Sequence, residues 1–221
     1  MPFALDHVFV FASVGAPEAS RLLSLGLVEG SSNVHRGQGT ANRRFFFQNA
    51  MLELIWVHDE REARSAAIAP TGLWERFHFR QTGASPFGIC LRASDPAIAP
   101  LPFETWSYRP PYLRAGLEIP VARTLSFAEP MLFSSPFAIR PDASPDRREP
   151  TDHTNGLREI SRVRVTLADG TALSPSLRAI EQLGVATFAG GREPLMELSF
   201  DGAKKGESAD LRPELPLSLC W

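Results

Sequence analysis

A short apolar strand, a short helix and a further apolar strand carrying one glutamate occur twice in this chain. The first occurrence begins at Leu5–Ala12, LDHVFVFA, whose aromatic and β-branched residues predict a strand buried on both faces. In APEASRLLSLG, Pro17 near a first turn, Glu18 beside the positive dipole end and Gly26 after the last apolar residue predict a short helix ending at Gly26. RRFFFQ and MLELIWV then read as two strands joined by a tight turn at Gln48-Asn49-Ala50, the second with Glu53 in its middle. The second occurrence opens with Ile160–Val165 and continues with SPSLRAIEQLG, where Ser174 is an N-cap, Pro175 the first helical residue and Gly184 the stop. Leu195-Met196-Glu197-Leu198-Ser199 is its counterpart of Met51–Ile55. Such a repeat predicts an α+β fold in which each unit buries apolar strands that it cannot cover alone.

The 221 residues divide accordingly. Residues 1–58 are a first β-α-β-β-β module, and 59–85 a helical connection that includes the solvated charged turn Asp59–Ser65. Residues 86–139 are a divergent second pass. It comprises the strand Pro86–Ala93, a weak helix or loop from Asp95-Pro96, an aromatic strand broken by Pro110-Pro111, and one or two strands in VARTLSFAEPMLFSS. Residues 140–156 are a polar, proline-rich linker, 157–201 a C-terminal β-α-β-β unit, and 202–221 an irregular tail whose Leu217-Ser218-Leu219 either adds an edge strand or only packs. All of these are expected to form one globular unit.

Composition excludes several classes of partner. A net charge of −2 gives no electrostatic footprint for nucleic acid or an anionic membrane. No apolar run approaches the ~18 residues of a membrane span. The opening residues lack a basic n-region, and Asp6-His7 precede the apolar run, so they read as a buried strand and not as a signal peptide. Two distant cysteines, Cys90 and Cys220, make no disulfide framework and no CxxC motif, so a cytoplasmic location is expected and Cys90 is read as buried and inert.

Glu53 is the residue that most needs a chemical explanation. Both its neighbours are apolar, and burying a carboxylate without a partner is costly, so it is expected to face a pocket. Asp6-His7 at a strand start are either a satisfied pair or a functional histidine beside that carboxylate, which together would make an acid/base pair. Alternation places one of Arg43 and Arg44 on the side of Phe46; one is expected at the surface, the other on Glu53 or an anionic ligand, and Arg43 is the candidate taken for ligand binding. His35 and Gln38 belong to the glycine loop HRGQGT, a pocket rim that lacks the spacing of a phosphate loop, so no nucleotide is expected. Trp106 and Tyr108, with Tyr112, are candidates for an aromatic wall, and His153 in the turn HTNG is a further ligand-binding candidate.

The LDHVFVF start, the βαβββ order and the apolar strand carrying Glu53 resemble the vicinal oxygen chelate superfamily, the glyoxalase and bleomycin-resistance fold. GQGTANRRFFF, PFGICLR and HTNG resemble its glyoxalase-like bacterial group. The resemblance implies repeated βαβββ modules forming curved mixed sheets around a cleft. It also implies a divalent metal held by a histidine on the first strand and a glutamate on the fourth strand of each module. His7 and Glu53 match the first pair and Glu197 the second glutamate, but Arg162 occupies the second histidine position and stays protonated. If PFGICLRA through MLFSS is the second module, the counterparts fall on Gly88 or Ile89 and on Leu132 or Phe133. Either register leaves the ligand set incomplete, so the expected cofactor is none or a weakly bound divalent metal. The implied function is a glyoxalase-like enzyme of lyase, isomerase or dioxygenase type acting on an oxygenated organic compound, with His7 and Glu53 central. The alternative is a non-enzymatic protein that sequesters a small molecule. Pairing into a homodimer fits either.

Overall fold

The computed structural model describes residues 2–94, 100–123, 126–145 and 149–221; the helix or loop expected from Asp95-Pro96 falls outside them. The first module folds as β1 (Phe3–Phe11), α1 (Ala19–Ser24), β2 (Asn33–His35), β3 (Thr40–Phe46) and β4 (Met51–Val57). Three short helices follow, α2 (Glu60–Ala63), α3 (Leu73–Phe77) and α4 (Phe79–Thr82). The strands β5 (Phe87–Ala93), β6 (Thr105–Tyr108), β7 (Ile119–Ala122) and β8 (Met131–Ser134) then continue the same sheet, ordered β2-β3-β4-β1-β5-β8-β7-β6.

This order identifies the repeat. β1 runs parallel to β4, β5 runs parallel to β8, and β1 and β5 meet antiparallel in the centre. The two halves mirror each other about that seam, so the counterpart of the first module is residues 87–134 and not the C-terminal third. The C-terminal third builds a second sheet from β9 (Ile160–Ala168), α5 (Pro175–Gln182), β10 (Thr187–Gly191), β11 (Leu195–Phe200), β12 (Ser208–Asp210) and β13 (Leu217–Cys220), ordered β10-β9-β11-β13-β12. There the parallel neighbour of β9 is β10, whereas β11, which carries Glu197, is antiparallel to β9. The likeness between Met51–Ile55 and Leu195–Ser199 is therefore one of pattern and not of topology. The tail is more ordered than expected: β13 lies inside the sheet, between β11 and β12.

Alternation along the strands divides the core in two. Val8, Val10, Phe45, Phe47, Leu52, Leu54 and Ile89 pack on one face of the large sheet, in one cluster with Val163, Leu177, Leu198 and Phe200 of the C-terminal unit. The rings of Phe47 and Phe200 meet at 4.7 Å across that layer. Each fully buried side chain of this size contributes about 1.5–3 kcal/mol. Phe9, Phe11, Ile55, Val57 and Phe133 face the other way and pack with Ile68 and with Leu73 of α3.

Two polar details fix this second face. Asp6 has no partner residue on β5, because Leu5 pairs with Leu91 and His7 with Cys90. This bulge lets Asp6 and His7 lie side by side, where regular neighbours would point to opposite faces. Arg76, on α3, is fully buried and donates from Nη1 to the carbonyls of Ser85 (2.9 Å), Phe127 (3.3 Å) and Glu129 (2.7 Å). Burial lowers its pKa to about 9 against the opposing pull of Glu75 and Glu129. Glu129 in turn accepts from the backbone of Ser174, the N-cap of α5, so one guanidinium links α3, the approaches to β5 and β8, and the second sheet.

Candidate functional site

A cavity of about 200 Å³ opens on the second face of the large sheet. Its floor is apolar and comes from both halves: Phe9, Met51 and Ile55 from the first, Ile119, Met131 and Phe133 from the second. Leu73 of α3 closes one side, and Tyr112, Leu113 and Phe137 another. The charged and most of the polar groups come from the first half, His7, His35, Gln38, Asn42, Arg44 and Glu53, while the second adds Tyr108, Tyr112 and Ser135.

His7 and Glu53 form the centre of this polar wall. β1 and β4 are adjacent and parallel, which places His7 Nε2 3.8 Å from Glu53 Oε2. Each is held at its other end. His7 Nδ1 is hydrogen-bonded to Asp6 Oδ2 at 2.7 Å, and the Asn42 amide donates to Glu53 Oε1. Burial alone would drive the imidazole toward its neutral form; the neighbouring Cys90 sulfur and the Asp6 carboxylate outweigh it and hold the pKa well above its ordinary value. Burial pushes the Cys90 thiol up, while the His7 imidazole beside it pulls the other way. The ring of His7 meets Phe133 edge-on at 5.3 Å.

A second polar chain lies behind His35. The Tyr108 hydroxyl donates to Gln38 Oε1 (2.8 Å), Gln38 Nε2 donates to Thr40 Oγ1 (2.6 Å), and Thr40 Oγ1 is 2.9 Å from His35 Nδ1. The intervening turn uses Gly37 and Gly39 at positive φ. These glycines admit other parts of the protein and not a ligand: a Cβ on Gly39 would stand 2.3 Å from the Asp59 carbonyl, and one on Gly37 2.7 Å from Pro111. The turn thereby brings the Gln38 side chain inward, where it is buried.

The predicted residues separate into two groups. His7, His35, Gln38, Glu53 and Tyr108 line the cavity. Trp106 packs beside Tyr108 at 5.7 Å and lies outside the lining. Arg43 points away and makes a bidentate pair with Glu29. Arg44 is the arginine on the cavity side, though its guanidinium is engaged by Ser31 and lies 5.1 Å over Phe46. His153 lies on the opposite face against Phe47 (4.6 Å) and accepts from the Val28 amide at Nδ1. Glu197 belongs to the second sheet, 3.5 Å from Arg164. Asn42 was not anticipated at the site, and Arg44 was weighed against Arg43 but not chosen; counting by twos back from Phe46 along β3 leads to both.

The donor set does not complete a superfamily metal centre. On the cavity side the second-half counterparts of His7 and Glu53 are Gly88 and Phe133, and the ring of Phe9 fills the space over Gly88. Among the described residues, Asp6, His7 and Cys90 form the one group of three donors close enough to share an ion. There the Asp6 oxygen is already engaged by His7, and Cys90 is fully buried.

Residues 5–181 match the family described as Glyoxalase-like domain. The chain is similar in fold to a hypothetical protein from Staphylococcus aureus, with a TM-score of 0.53, 10% identity and 98% coverage of each chain. A mutant of 4-hydroxymandelate synthase from Streptomyces coelicolor aligns with a TM-score of 0.49 and 14% identity, over 90% of this chain and 71% of the other. No curated protein matches. No helix among the described residues is long and apolar enough to cross a membrane.

Proposed function

The chain belongs to the Glyoxalase-like domain family, within the vicinal oxygen chelate superfamily, and from that premise we propose that it is a small-molecule enzyme working by proton transfer. Its substrate is a compact oxygenated organic compound held in the cavity. The observation that carries this reading is the His7–Glu53 pair: Nε2 and Oε2 stand 3.8 Å apart at an apolar cavity, each fixed from behind by Asp6 or Asn42. Glu53 Oε2 is free to accept a proton from a carbon beside a carbonyl, and the electron pair of that C–H bond moves onto the carbonyl oxygen. His7, held protonated, is the acid of the pair and stabilises the charge that develops. Return of the proton to the same or a neighbouring atom completes an isomerisation, and loss of a leaving group completes a lyase reaction.

Oxygenase chemistry is disfavoured because it uses a redox metal in a fuller donor set than His7 and Glu53 supply. Two donors leave most positions of a divalent ion to water, so binding of such an ion here is weak. The apolar counterparts Gly88 and Phe133 favour a second reading, a protein that only sequesters its ligand.

One experiment separates them. The protein is incubated in D₂O with a panel of small carbonyl compounds, and loss of the proton signal beside the carbonyl is followed by NMR. Proton transfer predicts catalysed exchange that Glu53→Gln abolishes. Compounds that bind and shift cavity resonances without exchanging would establish the sequestering reading instead.

A further inference from the structure

The hydrogen-bond chain behind His35 is satisfied in one direction only. Tyr108 is 3% exposed and its phenol has one partner among the described residues, Gln38 Oε1, so its proton goes there. That fixes the Gln38 amide with Nε2 toward Thr40 Oγ1. Thr40 is fully buried, and among the described residues the one remaining hydrogen-bond partner of its hydroxyl is His35 Nδ1. Running the chain the other way would leave the buried phenol proton without an acceptor, at a cost of ~1–3 kcal/mol. His35 Nδ1 is therefore the acceptor, and among the described residues Nε2 forms no hydrogen bond while the ring lines the cavity.

We infer that His35 is held as the Nε2–H tautomer and presents that N–H to the cavity as a fixed donor, so that the bound molecule places its carbonyl oxygen against this wall. The choice of a carbonyl rests on the reading of Glu53 given above; the tautomer does not. During proton abstraction the C–H pair moves onto the oxygen that His35 Nε2–H already holds, the proton rests on Glu53, and its return restores the starting states of both residues. Tyr112, 4.9 Å from the imidazole, packs against the ring and fixes its plane. Burial lowers the pKa of His35; Glu53 pulls it up, while Arg44, His7 and His58 push it further down, so the ring is neutral at neutral pH. A neutral imidazole has one donor and one acceptor, which is what this chain requires.

Long-range ¹H–¹⁵N NMR of histidine-labelled protein reads the tautomer directly. The wild type should show the Nε2–H pattern for His35; Thr40→Ser should keep it, and Thr40→Val should lose it. A wild-type Nδ1–H pattern or a charged ring at neutral pH would overturn the assignment. The donor role is tested with acetophenone against α-methylstyrene, which has the same shape without the oxygen. The wild type should prefer acetophenone by roughly tenfold, and His35→Phe should abolish the preference. Absence of a preference in the wild type, whether both probes bind or neither does, overturns the donor role. An intact tautomer and preference alongside failed exchange in D₂O would count against proton transfer alone.

Discussion

Gly88 stands on β5 where the first half of the sheet has His7, beneath the Phe9 ring that lines the cavity, and Gly88→Ala tests that packing. A Cβ there would lie 2.0 Å from Cε1 of Phe9 and 2.4 Å from Cδ1 and Cζ, against an ordinary contact of 3.4 Å or more. Phe9 cannot easily yield: it is 3% exposed, with the rings of Phe11 at 5.7 Å and Phe133 at 6.0 Å. Gly88 is a strand residue without positive φ, so the backbone change alone would favour alanine, by about 0.5–1 kcal/mol. Overpacking must therefore be read against that gain, and its cost belongs at the upper end of about 1–3 kcal/mol. Phe9→Ala alone should cost about 3–5 kcal/mol. In the double variant the new methyl enters the space that the ring has left, so the total should fall short of the sum by about 2 kcal/mol. Urea unfolding of the four proteins, with m-values compared to exclude a changed unfolded state, gives the cycle. Additivity within about 0.5 kcal/mol would refute the claim that the Phe9 ring is what fills this position.

Other outcomes follow from single contacts. Arg76→Met should destabilise by about 3–5 kcal/mol in urea, because the Ser85 and Glu129 carbonyls lose their donor, whereas Phe127 O keeps the Ser85 amide. Burial depresses the pKa of His153 below 6.5, with the Phe46 backbone and Asp152 opposing. The unfolded chain therefore takes up that proton first as pH falls, and wild-type stability drops below about pH 6.5. His153→Gln should remove this part of the slope when urea curves at neutral and acidic pH are compared, and an unchanged slope would exclude His153 as its source. Asp6→Asn should lower the pKa of His7, as followed by its ring proton shifts, and slow any exchange that Glu53→Gln abolishes.

The first module was legible in the sequence because local signals agree there. Pro17 and Gly26 bracket the helix, Gln48–Ala50 turns the hairpin, and an isolated charge among apolar residues marks Glu53 as facing a cavity. The partner of that module was not legible. Parallel pairing of β5 with β8 depends on contacts between distant segments, and the divergent half keeps the strands without the polar residues that would identify them. The C-terminal repeat looked stronger because Ser174 and Pro175 make a clear helix start, yet a helix start says nothing about which strand lies beside which. Arg43 and Arg44 were ambiguous because phenylalanines follow on both faces of β3. The chain from Tyr108 to His35 joins residues 70 positions apart between Gln38 and Tyr108, which no local pattern records.

The guanidinium of Arg76 has a mechanical consequence. It fastens the helix that carries Leu73 to the approach of the strand that carries Met131 and Phe133, so these parts of the wall are stiff with respect to each other. Deforming them means breaking buried, charge-assisted hydrogen bonds. Compliance is left to the opposite rim, where Tyr112 and Leu113 lie between β6 and β7 and Phe137 is 46% exposed. A molecule of the proposed kind would thus meet one wall held in place and one free to adjust.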